Sequence, residues 1–173
     1  MPARSASNAM ERARPAVEAD VPLIVELAEA LRTELRPMRG GELWYQRDAR
    51  AEPLDVAYGA LVDDPAVLLA VGTLDDVVLG FASVHVETLR DGGRLAVVTE
   101  LFVEPDARSV GIGEALVGLI VDFCTARGSI GIDAAALPGH RAAKNFFEGH
   151  GFTARSLVMH RALHEPRSEP DRP

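Results

Sequence analysis

One short stretch of the chain combines an arginine and two glycines between a run typical of a strand and a run typical of a helix. Arg108, Gly111 and Gly113 lie in "VEPDARSVGIGEAL", after "TELFV" and before "LVGLIVDF". A strand that enters a glycine-rich turn and then a helix presents several backbone N–H groups and the positive end of the helix dipole to one point. The stretch therefore predicts an anion site, with phosphate as the favoured anion.

Hydrophobic periodicity indicates the elements around this turn. Before it, "AVLLAVG", "VVLGFASVHVETL" and "RLAVVTELFV" are separated by turns at "TLDD" and "RDGG", which predicts an antiparallel meander of three strands. After it, apolar residues at helical spacing predict a helix that ends at Gly128. The chain then predicts a strand at "SIGIDAAAL", a helix at "HRAAKNFFEGHGF" and a last strand at "TARSLVMHRAL".

The region before the meander predicts two helices joined by a loop. "DVPLIVELAEALRTELRPM" has a helical apolar stripe, with Asp20 as the expected N-cap and Pro22 in the first turn. "RGGELWYQRDAR" is polar with paired glycines and predicts a loop, and "EPLDVAYGALVDD" predicts a short helix. A meander followed by alternating helices and strands implies an α/β (α+β) fold with a mixed sheet.

Length and composition predict one globular domain. The chain has 173 residues, 47% hydrophobic and 25% charged, which is the balance of a globular protein. We expect the domain to span residues 13–163, between polar tails at 1–12 (a natural tail or a cloning remnant) and 164–173. We leave the first fifteen residues out of the fold prediction.

Charge and cysteine content exclude several classes of function. A net charge of −8 argues against nucleic acid as a partner, since such binders are normally basic. No apolar run is long enough to span a bilayer, and no secretory signal begins the chain. Cys124 is the single cysteine and is expected in the core. These features predict a cytoplasmic protein without nucleic-acid or membrane partners.

The element order and the motif Arg108-x-x-Gly111-x-Gly113 together resemble the GNAT superfamily of acyl-CoA-dependent N-acyltransferases. The signature of that family is a strand, then Gln/Arg-x-x-Gly-x-Gly/Ala, then a helix. A second family run, A-x-x-(apolar)-Tyr-Glu-x-x-Gly-Phe, is matched except at one position by Ala143, Phe146, Glu148, Gly151 and Phe152. The resemblance implies a mostly antiparallel central sheet with helices on both faces, and acetyl-CoA as co-substrate without a metal.

The resemblance also implies which residues contact the cofactor. Arg108 would add a charge-assisted contact to the pyrophosphate, or it is a solvated surface residue. His140 stands where the family often has asparagine, and it either contacts the cofactor arm or is exposed at a helix start. The backbone N–H groups that would surround the pyrophosphate belong to Ser109, Val110, Gly111, Ile112, Gly113 and Glu114. The segment that would pair with the pantetheine arm and polarise the thioester carbonyl is Leu101, Phe102 and Val103.

Acyl transfer to an amine requires a base, because a free amine has a pKa near about 10.4. Glu100 lies on the strand that enters the glycine turn and is the candidate general base; the alternative is a solvent-facing strand glutamate. His85 and Glu87 share a face of the preceding strand under the alternation rule. They are candidates to assist at the substrate, or they are ordinary half-exposed residues.

The sequence departs from the family at Phe147, where many relatives have a tyrosine that donates a proton to the departing sulfur. A thiol with a pKa of about 8.5 still leaves reasonably well as thiolate, but a positioned acid is typically worth about 10²–10⁴-fold. Phe147 remains a candidate cofactor contact. Trp44 and Tyr45 are candidates to cover the acceptor, with a core anchor as the alternative for Trp44.

We therefore expect an acetyltransferase that moves an acetyl group from acetyl-CoA to a small-molecule amine in a ternary complex, with a homodimer as a family-level expectation. One alternative is a non-catalytic acyl-CoA-binding module of the same fold, which Phe147 favours. Another is a dinucleotide-binding domain, in which Asp133 would bind the ribose. Against it, Leu116 occupies the third glycine position of that motif.

Overall fold

The computed structural model describes residues 10–163, and the remainder of both expected tails lies outside the described residues. Two 3₁₀ turns, Glu18–Asp20 and Pro105–Ala107, precede the first and fourth helices. No helix within residues 10–163 is long and apolar enough to cross a membrane. The strands are β1 (Glu11–Pro15), β2 (Val67–Leu74), β3 (Val77–Thr88), β4 (Arg94–Val103) and β5 (Ser129–Ala134), and the helices are α1 (Val21–Leu35), α2 (Gly41–Arg47), α3 (Leu54–Val62), α4 (Ile112–Ala126) and α5 (Arg141–Gly149).

The strands form one sheet in the order β1-β2-β3-β4-β5. Neighbouring pairs are antiparallel except β4 and β5, which are parallel. β4 pairs with β5 from Arg94 to Val98 and then continues to Val103, while β5 ends at Ala134. The two strands therefore form a fork, in which residues 99–103 of β4 have one backbone edge that β5 does not cover.

β4 carries a β-bulge at the apex of this fork. Ser83 of β3 faces Glu100 and the next residue of β3 faces Val98, so Thr99 is an extra residue in β4. Thr99 contacts His85, and Glu100 contacts Ser83. Since Ser83 and His85 are two residues apart on one strand, they lie on the same face. The bulge thus places Thr99 and Glu100, adjacent in the chain, on one face of the sheet.

Helices cover both faces of the sheet. α1 and α3 pack on one face, where Ile24 and Tyr58 are fully buried. α4 packs on the other through Ile112 and Leu116, which are also fully buried. A Cβ at Gly72 of β2 would lie 2.5 Å from Ile112 Cγ2, so glycine there allows the first turn of α4 to approach the sheet.

The predicted fold class is confirmed, with a mostly antiparallel sheet between layers of helices. The meander corresponds to β2, β3 and β4, and the helix after the glycine turn is α4. The later strand and helix are β5 and α5, and the short upstream helix is α3. Cys124 is 2% exposed in the core, as expected.

Three elements differ from the prediction. Residues 39–50 were predicted as a loop but contain α2. β1 begins at Glu11, inside the segment left out of the prediction; an edge strand held to β2 by backbone pairing needs no apolar alternation. The strand predicted at 153–163 is not formed. Its apolar residues Leu157, Val158 and Met159 are consecutive and exposed, so they offer no single face for burial.

Asp20 joins β1 to α1 rather than capping α1 as predicted. Its carboxylate accepts hydrogen bonds from Arg14 Nη1 at 2.7 Å, Arg14 Nη2 at 2.9 Å and the backbone N–H of Val17 at 2.8 Å. The side chain makes no cap bond to the helix. The hydrogen bonds from Arg14 lower the pKa of Asp20, against the opposing effect of burial.

Candidate active site

The glycine turn joins β4 to α4 at the open end of the fork. Ser109 and Gly111 have φ values of 72° and 96°, and Gly111 is the residue immediately before α4. Glycine adopts this left-handed conformation without steric cost. Because the first N–H groups of a helix have no intrahelical acceptor, the first turn of α4 presents donors at this turn. This is the arrangement that the anion-site prediction requires.

The two motif positions, 111 and 113, are each restricted to glycine, but by contact with different neighbours. A Cβ at Gly111 would lie 2.8 Å from Glu11 Cγ, and a Cβ at Gly113 would lie 2.9 Å from Phe146 Cε2. Gly113 therefore allows α5 to pack on the first turn of α4, whereas the family resemblance implied only that its backbone N–H surrounds the pyrophosphate. Glu11, on the strand that the sequence did not predict, places a carboxylate beside the turn, and a phosphate bound there would require that side chain to move aside.

The side chain of Arg108 bridges β4 and α1. Its Nε donates to Val103 O at 2.9 Å and its Nη2 donates to Glu34 Oε2 at 2.6 Å. The guanidinium also lies 5.4 Å from the centre of the Phe102 ring. His140 Nε2 is 3.4 Å from the other carboxylate oxygen of Glu34. The structure thus brings Arg108 and His140 together at Glu34, which sequence reasoning missed, and their contacts to a cofactor remain predictions.

At residues 101–103, the edge of β4 that β5 leaves uncovered presents backbone groups to a ligand. The side chains of these residues are buried or half-buried. Phe147 lies on α5, half-buried, with ring centroids of Phe146 and Phe152 at 5.7 and 5.1 Å from its own. Its ring has no proton to donate. The fork therefore has the backbone edge that the family comparison requires but has phenylalanine at the position of the family's acid.

Glu100 is 7% exposed, and both its carboxylate oxygens are occupied by neighbouring donors. Oε1 accepts from the Tyr58 hydroxyl at 2.6 Å. Oε2 accepts from the Ser83 hydroxyl at 2.6 Å and from Arg50 Nη2 and Nε at 2.8 and 3.2 Å. Arg50 lies between α2 and α3 and also donates to Ser83 Oγ at 3.1 Å. We refer to Glu100, Arg50, Tyr58 and Ser83 as the closed cluster.

The closed cluster is held together by charge that is largely removed from water. Burial and the negative charge of Glu100 both raise the pKa of Tyr58, so its hydroxyl remains a neutral donor. Burial alone would lower the pKa of Arg50, but the charge and hydrogen bonds of Glu100 outweigh it and raise that pKa. The side chains of Arg50 and Glu100 are 18% and 6% exposed. Breaking such a pair from one side is costly, so the cluster fixes the α2–α3 segment to the sheet.

A second set of polar side chains begins at the neighbouring residue, Thr99. His85 Nδ1 is 3.1 Å from Thr99 Oγ1, and His85 Nε2 is 3.2 Å from Glu87 Oε1. This contact confirms that His85 and Glu87 share a face. Their side chains are 41% and 54% exposed. We refer to Thr99, His85 and Glu87 as the open cluster.

A cleft of about 250 Å³ connects the two clusters. The predicted acceptor residues Trp44 and Tyr45 are not among its lining residues. Trp44 is partly buried and packs against the core cluster on the α1 and α3 side of the sheet, which agrees with the core-anchor alternative, and the Tyr45 ring lies 4.2 Å from the Arg36 guanidinium. Arg50 was missed because one arginine in a mixed-charge segment carries no distinguishing signal. The lining residues are Arg50, Leu61, Val67, Ser83, Val84, His85 and Thr99.

A larger cleft, of about 390 Å³, lies beside the glycine turn between α1 and the β2–β3 hairpin. Three carboxylates, those of Glu26, Glu104 and Asp106, line it together with apolar side chains. Their negative charge opposes a phosphate, and Val110 is the one predicted site residue in its lining. No residue of the closed or the open cluster lines this larger cleft.

The dinucleotide-binding alternative does not agree with the sheet. Domains of that kind have a mostly parallel sheet, but the strand that enters the glycine turn, β4, is antiparallel to β3. Asp133, the candidate ribose ligand, accepts hydrogen bonds from the side chain of Arg155. That alternative is therefore wrong for this fold.

Comparison with known proteins agrees with the resemblance seen in the sequence. The model of the acetyltransferase (GNAT) family matches residues 25–152. A tetramutant of a Bacillus halodurans protein has a TM-score of 0.74 at 17% identity, covering 87% of this chain and 99% of that chain. An aminoglycoside acetyltransferase from an uncultured soil metagenomic sample has a TM-score of 0.64 at 19% identity, covering 90% and 97%. Glucosamine-6-phosphate N-acetyltransferase from Arabidopsis thaliana has a TM-score of 0.65 at 17% identity, covering 90% and 99%.

No curated protein matches this sequence. At the identities above, the solved structures support the fold alone, while the family match extends over most of the chain. The motif residues Arg108, Gly111 and Gly113 lie inside the matched range and form the turn between β4 and α4. The chain therefore belongs to the GNAT acetyltransferase family.

Proposed function

We propose that this protein transfers an acetyl group from acetyl-CoA to the primary amine of a small molecule, by direct attack within a ternary complex. The observation that carries the proposal is the position of the glycine turn at the open end of the β4–β5 fork. A ligand with a phosphate at one end and an extended amide-containing arm could use the N–H groups of the turn and the uncovered edge of β4 together.

The proposal assigns the pyrophosphate to the N–H groups of residues 109–114 and the pantetheine arm to residues 101–103. A backbone N–H near the apex of the fork would polarise the thioester carbonyl. Val103 O already accepts a hydrogen bond from Arg108. Binding of the arm at that oxygen requires Arg108 to share it or to move, and a moved guanidinium would be free to contact phosphate.

The cleft between the two clusters is proposed as the acceptor site. Its volume of about 250 Å³ is slightly below the usual range of ligand pockets, about 300–1,000 Å³, and this favours a small amine. The net charge of −8 attracts a cationic amine. We also propose a cytoplasmic location, because Cys124 is a free thiol, and we retain the homodimer as a family-level expectation.

Thermal unfolding of the purified chain with acetyl-CoA, free CoA, NAD⁺ or NADH tests the cofactor. A ligand at about 100 times its dissociation constant adds about 2.7 kcal/mol of stability, which is a shift of several degrees for a chain of this size. We expect stabilisation by the two CoA compounds alone. Stabilisation by the nicotinamides alone would overturn the proposal.

Turnover is tested by thiol release from acetyl-CoA in the presence of a panel of amines. Two neighbours are named for an aminoglycoside and for glucosamine 6-phosphate, so sisomicin, which was crystallised with that aminoglycoside acetyltransferase, and glucosamine 6-phosphate are the first members. Spermidine and phenylethylamine add a polycation and an apolar amine. Thiol release that depends on the amine would support the proposal that the protein is an N-acetyltransferase.

A non-catalytic acyl-CoA-binding module is the second candidate, and Phe147 is the observation that favours it. Such a module would be stabilised by CoA compounds but would release no thiol with any amine. The two measurements together therefore separate the candidates.

A further inference from the structure

The open cluster lies where the acyl group is proposed to end. β5 pairs with β4 as far as Val98, so Thr99 is the first residue of β4 beyond the apex of the fork. The arm along residues 101–103 points toward this apex. Thr99 Oγ1 is an exposed hydroxyl there, 3.1 Å from His85 Nδ1.

The hydrogen bonds of His85 define the direction in which a proton would move. The contacts fit the tautomer in which His85 Nε2 donates to Glu87 Oε1 at 3.2 Å, because carboxylate oxygens accept hydrogen bonds. His85 Nδ1 is then the acceptor for the Thr99 hydroxyl. A hydroxyl, an imidazole and a carboxylate in this order form the arrangement in which an imidazole withdraws a proton through a hydroxyl and a carboxylate stabilises the imidazolium.

Glu100 is poorly placed for the same task. Its Oε2 accepts three hydrogen bonds and its Oε1 accepts the Tyr58 hydroxyl, which burial and charge keep protonated. A base must come within hydrogen-bond reach of the proton that it takes. An amine would have to compete with Arg50, Tyr58 and Ser83 for oxygens that are largely buried.

We propose that His85 is the general base of acetyl transfer, with Thr99 relaying the proton and Glu87 positioning the imidazole; this rests on the proposed function. The bound ammonium first gives one proton to water through Thr99 Oγ1 and His85. The neutral amine nitrogen then attacks the thioester carbonyl carbon, a C–N bond forms and the C–S bond breaks. The proton lost by the nitrogen passes to Thr99 Oγ1, whose own proton moves to His85 Nδ1. The sulfur leaves as thiolate, and the exposed imidazolium returns its proton to water.

The charged groups near His85 lie on its own strand and on neighbouring elements, while its β2 partner Val67 and the cleft residue Leu61 of α3 are apolar. Glu87 lies on its own strand and Thr99 on β4. Arg50 lines the same cleft from the α2–α3 segment, with its charge balanced by Glu100. On β5, Asp133 lies opposite Val97, which pairs with His85, and is balanced by Arg155. Glu87 is therefore the carboxylate that acts on the imidazole directly.

The test uses the full chain and the panel amine with the highest rate of thiol release. Relative to wild type, we expect His85→Gln to lower kcat by about 100-fold or more, with the KM for acetyl-CoA unchanged, and to remove the ascending limb of the pH–rate profile. His160→Gln, at an exposed histidine in residues 153–163, is the matched control and should retain the wild-type profile. Thr99→Val should lose most of the same rate, and Thr99→Ser should restore it.

Glu87→Gln separates a positioning role from a general loss of structure. It should lower kcat while leaving the KM for acetyl-CoA and the free energy of unfolding nearly unchanged, because the imidazole loses the carboxylate that orients it. An unchanged pH–rate profile in His85→Gln overturns the relay while leaving the proposed function intact. Stabilisation by CoA compounds without thiol release by wild type overturns both the relay and the enzyme, and absence of that stabilisation overturns the cofactor assignment itself.

Discussion

Thr99 and Glu100 are adjacent in the chain and point to the same face of the sheet, yet they belong to sites of opposite character. Glu100 is 7% exposed and its oxygens receive four hydrogen bonds from three side chains. Thr99 belongs to a cluster whose histidine and carboxylate are 41% and 54% exposed. One β-bulge therefore supplies a fixed structural carboxylate and a solvent-accessible hydroxyl side by side.

The difference shows why residue type alone does not identify a base. A strand carboxylate before a glycine turn is a reasonable candidate from the sequence, but its function depends on what already occupies its oxygens. Three donors converge on Glu100 from β3, from α3 and from the α2–α3 segment. Glu87 has one imidazole partner and remains open to water. The first arrangement favours stability and the second favours proton movement.

Either cluster can act on the thioester only if acetyl-CoA binds with its pyrophosphate at the glycine turn. The largest effect is therefore expected from Gly111→Asp, which blocks that turn. The substitution forces a side chain into a backbone with φ 96° and places its Cβ 2.8 Å from Glu11 Cγ. It also adds a negative charge where the phosphate is proposed. We expect the thermal stabilisation by acetyl-CoA to be lost completely.

Gly92→Asp is the matched control for that experiment. Gly92 also has a positive φ, 84°, but a Cβ there would meet nothing within 4 Å, so the variant should keep the response to acetyl-CoA. Gly111→Ala distinguishes steric from electrostatic effects if the Asp variant unfolds. Wild-type stabilisation of a folded Gly111→Asp by acetyl-CoA would show that the turn does not hold the phosphate.

The next largest effect is expected when the carboxylates of the two clusters are replaced in turn and the loss in free energy of unfolding is compared. Glu100→Gln leaves the largely buried Arg50 guanidinium without its counter-charge. Breaking a buried pair costs about 3–5 kcal/mol, and the 18% exposure of Arg50 places the expected loss near about 3 kcal/mol. Glu87→Gln, the matched change in the open cluster, should alter stability by less than about 0.5 kcal/mol. Urea unfolding of both variants measures the difference, and equal losses would remove the distinction between the clusters.

The pH–rate profiles of Glu100→Gln and His85→Gln compare the two clusters as sources of the general base. If His85 takes the proton, a folded Glu100→Gln variant should keep the shape of the wild-type pH–rate profile, with the rate lowered only through displacement of Arg50. Loss of the ascending limb in Glu100→Gln, with the limb retained in His85→Gln, would instead restore Glu100 as the base. The profiles are measured at saturating acetyl-CoA with one amine.

Most of the fold could be predicted because local signals dominate in it. The apolar alternation of β2, β3 and β4, the turns between them and the helical stripe of α4 are each encoded within about ten to fifteen residues. β1 could not be predicted, since its order comes from backbone pairing with β2, more than fifty residues away. The segment 153–163 was predicted as a strand from its apolar content, but no neighbour pairs with it in residues 10–163.

The candidate site residues also divide into those that local sequence predicts and those that depend on contacts between distant elements. The glycine turn was predicted from a contiguous motif, while the role of residues 101–103 was implied by the family resemblance. Arg50 and Glu34 were missed because each reaches the site across the fold, to Glu100 and to Arg108. The sequence left Trp44 as either a cover for the acceptor or a core anchor, and only packing against the core distinguishes the two. Contacts between distant elements leave no periodic signal in the sequence.

A smaller loss of stability is expected when a third carboxylate, Asp20, is replaced by asparagine. Like Glu100 it is held by arginine, but Arg14 is 47% exposed while Asp20 is 8% exposed. Hydrogen bonds to charged groups are worth about 1.5–3 kcal/mol. Solvent screening of the exposed partner reduces the expected loss in Asp20→Asn to about 1–2 kcal/mol at pH 7.

The pH dependence of that loss has a defined sign. Because Arg14 lowers the pKa of Asp20 in the folded state, the contribution of Asp20 is complete above the unfolded pKa of about 3.9. It is lost as the pH falls through the lower, folded value. Urea unfolding should therefore show a constant gap between wild type and Asp20→Asn from pH 7 to pH 5, closing toward pH 2, whereas Asp122→Asn, at an exposed position of α4, should show almost none. A gap that persists undiminished at pH 2 would mean that Asp20 acts through packing and its bond to Val17 rather than through charge, unlike Glu100.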